Sequence, residues 1–487
     1  MALFARFRLP LAIAISLTAG YLLLPEHRGL DLPLLPEFDK HSIPVLTVLA
    51  ILFKRFGWAK LRLVPSSTLL LVLLSSLVIG AFLTVLSNGD SYSIGSRTLP
   101  GLSLYDSFSS VLTTLIMLLP FLLGYRFLAG TEQHRALLVV LVAAGVGYSF
   151  PALFEVRMSP QLNQWIYGYF QSTWAYTFRA GGWRPVVFVK NGLFLSLFFA
   201  CTIVAAAGLA RFTPKGDRTR YVWAALWLLF TLVMCKSLGA LLITLVIAPV
   251  IFLMRPRGQL FVTAAIAAII LSYPILRAAE VVPADAALNM VAKISEERAA
   301  SFELRVVSEA TLLEKAQQRP LFGWGGWGRS RIFDEKGNDI TVPDGYWVIT
   351  IGEGGWLRYL GEFSLLCLPL ILLALRCRRL GLAPETAVLA LTLSANLIDL
   401  IPNSGITVLT WLMAGALWGR LGQGPETETP VAGAAEEPKT LSRYSRQTRR
   451  IHRSGIPAKP APSAGAMQDG RARGPRGSCH SIAQLVP

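Results

Sequence analysis

The sequence predicts an all-α fold, a polytopic transmembrane helix bundle of about twelve spans with a large polar loop between spans 9 and 10. Three observations carry this. Apolar residues fill 53% of 487 positions and charged residues only 15%, with a mean hydropathy of +0.51, which is too apolar for a soluble domain. Apolar runs of near-spanning length recur as far as residue 421. Among them sits one polar stretch, Arg277 to Gly354, the largest piece able to fold outside a bilayer.

In chain order the predicted spans are 9–25, 42–55, 67–87, 107–129, 134–154, 187–209, 220–235, 238–254, 260–278, 355–375, 384–401 and 403–421. The first follows Arg6 and Arg8 as a signal peptide would, but Pro25-Glu26-His27 makes a poor small-residue cleavage site, so it reads as a retained span. Val222 to Met254 is too long for one helix, and Lys236-Ser-Leu-Gly239 supplies a turn that splits it into a tight hairpin.

With the N-terminus inside, every cytoplasmic connection is basic, as the positive-inside rule asks. These connections carry Lys54, Arg55, Lys60 and Arg62; Arg126 and Arg135; Arg211, Lys215, Arg218 and Arg220; Arg255 and Arg257; and Arg376, Arg378 and Arg379. The loops 155–186 and 279–354 then fall on the outer, periplasmic face. Residues 1–421 form the membrane domain. The segment 422–487, rich in Pro, Ala, Gly, Ser and Arg, is expected to be a disordered, basic cytoplasmic tail able to touch anionic lipid.

Composition also excludes function classes. A net charge of +17 would point to nucleic acid in a soluble protein, but in a membrane protein it records cations held on the cytoplasmic side, so no nucleic-acid partner is expected. The five cysteines, Cys201, Cys235, Cys367, Cys377 and Cys479, are scattered without metal-ligand spacing and imply neither a disulfide framework nor a zinc site. None of the five histidines, His27, His41, His134, His452 and His480, falls in either large outer loop. Those loops therefore supply no imidazole base, and proton transfer there falls to a carboxylate: Asp344 or Glu353, with Asp339 and Glu335 behind them. No metal or cofactor is expected.

Arginine on the outer face is the informative exception to positive-inside bias, and this chain places Arg157, Arg179, Arg184, Arg298, Arg305, Arg319, Arg329 and Arg331 there. Guanidinium forks match phosphate oxygens in pairs, so a phosphate or pyrophosphate is the expected ligand; the alternative for any single arginine is a salt bridge to the loop acids Glu296, Glu297, Glu303 and Glu309. Polar residues also intrude near span ends: Asp106, Lys190, Asn191, Lys236, Arg358, Glu362, Asp399 and Asn403. Most fall in the outer half of the membrane, as one outward-facing polar site would require. Gly323, Gly325 and Gly328 formally fit a dinucleotide fingerprint, but no strand precedes them and Trp324 and Trp327 fill the gaps. Gly-Trp-Gly-Gly-Trp-Gly is read instead as a flexible backbone presenting two indoles, to the membrane interface or to a sugar ring.

Three stretches resemble the O-antigen ligase/polymerase superfamily of bacterial membrane glycosyltransferases. They are Phe154-Glu-Val-Arg157 through Arg179-Ala-Gly-Gly-Trp-Arg184 to Lys190-Asn191-Gly192; Lys236-Ser-Leu-Gly239-Ala, similar to that family's Ser-Arg-Gly-Ala hairpin with the basic residue moved earlier; and Arg305 through Arg319-Pro-Leu-Phe-Gly323-Trp-Gly to Asp344-Gly-Tyr-Trp and Gly354-Gly-Trp-Leu. Together they cover about residues 150–420. Ligases that attach O-antigen to lipid A core typically carry a His-Asn pair where this chain has Asp344-Gly345, a departure that favours the polymerase branch.

The resemblance implies a bacterial inner-membrane enzyme with both termini cytoplasmic, acting on polyprenyl-diphosphate-linked oligosaccharide, with membrane lipids and a chain-length regulator as further partners. A sugar hydroxyl would attack the anomeric carbon of a second lipid-linked chain, inverting it as polyprenyl diphosphate leaves. Arg184 and Arg305 would hold the developing charge without a required metal, and Asp344 would accept or orient the acceptor proton. Arg157, Arg179, Asn191, Lys236, Arg319, Trp324, Trp327 and Asp399 are the substrate-binding candidates. A ligase of the same superfamily is the alternative; a lipid-linked oligosaccharide flippase or other secondary transporter is the alternative from another class.

Overall fold

The computed structural model describes residues 1–31, 36–94, 97–179, 181–279, 281, 293 and 296–425. The expected tail lies outside the described residues from 426 onward, as does part of the loop 279–354. The chain is mostly helical. Its helices are α1 (Ala2–Arg6), α2 (Leu9–Leu23), α3 (Ile43–Phe56), α4 (Trp58–Leu61), α5 (Thr68–Leu86), α6 (Leu104–Phe127), α7 (Thr131–Met158), α8 (Leu162–Tyr167), α9 (Gly192–Phe212), α10 (Lys215–Met234), α11 (Leu238–Leu253), α12 (Pro256–Ala278), α13 (Glu296–Gln317), α14 (Tyr346–Leu380), α15 (Pro384–Asp399) and α16 (Val408–Leu421). A helix stands at each predicted span. By length and composition six of them, α5, α6, α7, α9, α12 and α14, can cross a membrane, and α2, α11 and α16 are apolar but shorter.

The centre of the bundle is α9, packed between α7, α10, α11 and α15 and buried from Leu195 to Ala210. A helix apolar all round belongs inside, and the Ala, Gly, Ser and Thr of α9 let its neighbours approach closely. Helices α6 and α16 come closer still, because a β-carbon at Gly124 would collide with the Leu412 carbonyl and one at Gly415 with the Phe121 carbonyl. The outward faces of α5, α10 and α11 instead present Val72, Ile79, Trp223, Leu226, Val246 and Leu253, the surface an apolar solvent accepts.

Helices in antiparallel series bring alternate connections together, and side-chain contacts sort these into two ends. At the basic end Arg55 reaches the Phe4 carbonyl, Arg126 the Leu61 carbonyl, Arg211 the Met254 carbonyl and Arg420 the Leu380 carbonyl, while Arg135 pairs with Glu385. At the other, loop end, Tyr169 reaches the Glu26 carbonyl, Arg184 reaches Ser237, Lys236 lies against Gly182, Arg319 reaches Asp90 and Arg305 pairs with Asp344.

Among the described residues strand is confined to two short antiparallel hairpins at the loop end: β1 (Tyr92–Ile94) with β2 (Arg97–Leu99), Tyr92 opposite Leu99, and β3 (Phe178–Arg179) with β4 (Gly182–Trp183), Arg179 opposite Gly182.

The loop 279–354 is more ordered than expected. Its residues 296–317 form α13, and its last nine residues already belong to α14, which starts at Tyr346 rather than near 355. Tyr346, Trp347, Val348 and Ile351 are buried and drive that early start. The Gly354-Gly355 pair expected to begin a helix breaks one instead, with Gly355 at φ 67°. The break frees backbone groups, and the Pro320–Gly325 segment satisfies them. Trp356 and Leu357 donate to the carbonyls of Pro320 and Leu321, at 2.8 and 3.2 Å, while Trp324 and Gly325 donate to Gly352 and Glu353, at 2.9 and 2.8 Å.

Candidate functional site

Arg184 follows directly on the β3–β4 hairpin, fixed by its own N–H donating to the Thr177 carbonyl at 2.7 Å. Its side chain is 5% exposed and lies over Gly192, where a β-carbon would come within 2.6 Å of Nε. One terminal nitrogen donates to Ser237 Oγ at 3.2 Å, while the buried Nε has no partner among the described residues. Burial pushes the guanidinium pKa down to about 10, the charge of Arg179 adds to this, Cys235 and Asp399 oppose it, and Arg305 lowers it a little further. Arg179, Arg305 and Asp399 therefore all lie within electrostatic reach of Arg184.

Lys236 joins the same cluster. It occupies the turn between α10 and α11 at φ 55°, and its ammonium rests against Gly182 of β4, where a β-carbon would collide with it.

Beyond Arg184 the chain runs as a buried irregular strap, Pro185–Val189, to Asn191, whose Oδ1 caps α9 by accepting from Leu193 and Phe194. A buried strap without a helix or sheet partner must find side chains for its backbone groups. Glu155, at the end of α7, accepts from Val186 and Val187 at 2.8 and 2.7 Å and from Leu162 at 3.0 Å. The Tyr148 hydroxyl accepts from Phe188, and Gln171 donates to the carbonyls of Val187 and Val189. Lys40 donates to the Phe188 carbonyl at 2.9 Å and pairs with Glu26 at 2.8 Å. Val187, a β-branched residue at φ 55°, is held in this strained conformation by those bonds.

The second half of the site comes from α13 and the start of α14. Arg305 Nε lies 2.9 Å from Asp344 Oδ2, with both side chains about one third exposed. Burial raises the Asp344 carboxyl above its ordinary range, and the Arg305 charge only partly offsets this. The next two residues dock on the end of α15: Tyr346 N–H is shared between the carbonyls of Leu400 and Asn403, and Asn403 donates to Asp399 Oδ1 at 2.8 Å. The Tyr346 hydroxyl donates to Glu362 at 2.5 Å, and Arg358 bridges Glu362 and Glu353 at 2.8 Å each.

No family model, curated protein or solved structure matches the chain.

Its chemistry is that of its own groups. Arg179, Asp399 and Arg305, which is paired with Asp344, are within electrostatic reach of Arg184, and Lys236 lies against the hairpin that precedes it, a set suited to an anionic ligand and a proton acceptor. The other candidates lie elsewhere. Arg157 is exposed at the end of α7. Arg319 donates to the Ser87 carbonyl, Asn88 Oδ1 and Asp90 Oδ2 at 2.5, 2.8 and 2.7 Å, tying its loop to the α5–α6 connection. Trp324 is not presented outward: it is 6% exposed, donates to the Lys315 carbonyl, and has Arg319, Lys315 and Tyr92 packed on its ring. Trp327, at 77%, is exposed.

The polar residues near span ends do not form one set either. Asp106 caps α6 through Ser103, and Arg358 with Glu362 forms the separate triad. Of the other loop acids, Glu353 is paired with Arg358 and Asp339 with Arg331. Among the described residues no three His, Cys, Asp or Glu side chains group to hold a metal.

Proposed function

We propose that this protein is a membrane glycosyltransferase that polymerises polyprenyl-diphosphate-linked oligosaccharide repeats of a surface polysaccharide, with its loop end facing the periplasm and about twelve helices in the membrane. The observation that carries the proposal is the buried Arg184, with an open Nε, beside Arg179, Lys236 and the Arg305–Asp344 pair. Burying a guanidinium without a carboxylate in contact is costly, and an anionic ligand supplies what is missing. The resemblance to the O-antigen ligase/polymerase superfamily supplies the substrate class.

In this reaction the acceptor sugar hydroxyl gives its proton to Asp344 as its oxygen attacks the anomeric carbon of the donor, whose bond to the diphosphate breaks with inversion. Arg184, Arg179 and Lys236 neutralise the charge that develops on the departing diphosphate, a contribution that needs no rearrangement because the groups are already fixed. Arg305 holds the Asp344 carboxyl in place on the side facing them. Asp399, anchored by Asn403, offsets part of the positive charge around Arg184. A chain-length regulator would meet the same product on the loop side.

The deciding experiment is complementation of a deletion strain with Arg184→Ala. Lipid-linked single repeats in place of long chains are expected. Normal long chains would remove Arg184 from the chemistry, and full-length polymer left unattached to its final acceptor would identify a ligase instead.

A further inference from the structure

The segment between α7 and β3 displays aromatic residues that the chemistry above does not use. On α7, Phe150, Phe154 and Met158 are spaced one turn apart and all exposed. Phe150 meets Trp227 of α10 at 6.0 Å between ring centroids, and Phe154 meets Trp165 of α8 at 5.7 Å. Rings thus continue the outward apolar faces of two bundle helices onto α8, where Trp165 and Ile166 are about 60% exposed. A second stack follows in sequence: Phe170 lies on Trp174 at 4.2 Å, Trp174 and Phe178 both meet Trp183, and Tyr176 between them is 66% exposed.

The other side of this segment is anchored. The hydroxyls of Tyr167 and Tyr169 donate to the carbonyls of Leu23 and Glu26, and Asn163 donates to the Tyr169 carbonyl at 2.7 Å. The exposed rings are therefore a fixed display.

We infer that residues 162–178 lie in the membrane interface, with Trp165, Ile166, Trp174 and Tyr176 seated at the headgroup–acyl boundary of one leaflet. Trp and Tyr prefer that depth because an apolar ring and a polar tip are both satisfied there. The display continues the apolar flanks of α7 and α10, so the same lipid covers both. Arg157 and Arg179 border it and have the reach to meet lipid phosphate while their stems stay in apolar surroundings. The β3–β4 hairpin, and with it Arg184, then sits at the level where any lipid-borne phosphate presents itself. The inference requires a membrane but not the glycosyl-transfer chemistry, so the two fail independently.

The test is spin labelling of Ile166→Cys and Tyr176→Cys, each in the full chain carrying Cys479→Ser, since the other four cysteines are buried. The protein is held in nanodiscs of phosphatidylethanolamine and phosphatidylglycerol, with Lys336→Cys, on an exposed turn, as the aqueous reference. Both labels are expected to show a severalfold higher ratio of oxygen to water-soluble nickel-chelate accessibility than the Lys336 reference. A ratio equal to the reference at either site overturns the inference. So does protection from both reagents, which would mean a protein partner or second copy covers the face. Should labelling disturb folding, brominated phospholipid gives a second readout: quenching of tryptophan fluorescence must fall in Trp165→Phe/Trp174→Phe, and an unchanged quenched fraction is the contrary result.

Discussion

Arg305 Nε and Asp344 Oδ2 stand 2.9 Å apart, yet the Asp344 carboxyl is raised rather than lowered, because its burial outweighs the neighbouring guanidinium. An Asp whose pKa lies above its ordinary 3.8 is a stronger proton acceptor than an ordinary carboxylate.

The pH dependence follows. A base must be deprotonated, so transfer is lost as pH falls through the folded-state pKa of Asp344. Arg305→Gln removes the charge that holds this pKa down and should move the acid limb of the pH–rate profile to higher pH. Asp344→Asn should abolish the limb along with most of the activity. Stability has the opposite sign: a raised carboxyl binds its proton more tightly when folded, so its contribution is present below pH 3.8 and lost as pH rises through the folded value. Asp344→Asn is accordingly expected to keep or raise Tm at neutral pH. A limb that Arg305→Gln leaves unmoved would sink the pairing as a catalytic device.

Arg184→Ala should slow transfer by about two to three orders of magnitude, the scale of losing one fixed donor to a developing anion. Arg184→Lys should not restore it. A point charge on a flexible stem replaces neither the planar fork nor the Nε that lies buried and open over Gly192. Single-turnover rates with a lipid-linked donor, compared at saturating concentration, check both variants.

Arg319 gives the contrasting result. Its guanidinium is occupied by Ser87, Asn88 and Asp90, and its hydrogen bond to Asp90 holds that carboxyl below the usual range. Arg319→Ala should loosen the contact between the Pro320–Gly325 segment and the α5–α6 connection, seen as faster proteolysis there, while retaining far more transfer activity than Arg184→Ala. Equal losses would return Arg319 to the centre of the site.

How far the sequence reached can be judged residue by residue. Apolar run length located a helix at every predicted span, because burial and spanning both demand continuous apolar surface. Charge singled out Arg184, Arg305 and Asp344 in the two large loops, where guanidiniums and carboxylates are conspicuous against an apolar background. It did not resolve which arginines are structural: nothing in Arg319-Pro-Leu-Phe-Gly-Trp-Gly announces that its backbone repairs a helix broken at Gly355, or that Trp324 is packed among cations. The two- and three-residue strands left no periodic signal. Glu155 was overlooked because a carboxylate ending an apolar run looks like a boundary marker, although a buried acid next to irregular backbone is the pairing that strap needs.

Lys40 and Glu26 support that strap from the other side. Burial alone would raise the Glu26 carboxyl, but the His41 hydrogen bond and the Lys40 ammonium bring it down to about 2. With an ordinary value of 4.5, its contribution to stability is present above that pH and lost as pH falls through about 2. Lys40→Met leaves a buried carboxylate and should cost about 3–5 kcal/mol, with the acid-induced loss of structure starting at higher pH. Glu26→Gln/Lys40→Met should recover part of that cost, and thermal unfolding of the four members of the cycle in detergent measures the coupling. A coupling of zero would mean the pair is held in place by its surroundings without contributing to them.

Glu155 offers the sharpest separation of structure from chemistry, because its hydrogen bonds go to backbone, chiefly that of the strap that follows Arg184, and not to Arg184 itself. Its two oxygens take the N–H groups of Val186, Val187 and Leu162, and each donor left dry and unpaired costs about 1–3 kcal/mol. Glu155→Ala leaves all three donors without their acceptor and weakens the hold on Val187 at φ 55°, a conformation costing about 1–3 kcal/mol that Glu155 and Gln171 maintain together. The strap should relax and Arg184 with it, so transfer falls toward the level of Arg184→Ala although every cation of the site is still present. Glu155→Gln keeps one oxygen and turns an amide donor toward the remaining N–H groups, so an intermediate loss is expected. Hydrogen exchange decides whether this is positioning or general instability: the amides of Val186, Val187 and Phe188 should lose protection in Glu155→Ala while those of α9 keep theirs. If the strap amides stay protected and transfer still collapses, Glu155 acts by some route other than holding Arg184 in place.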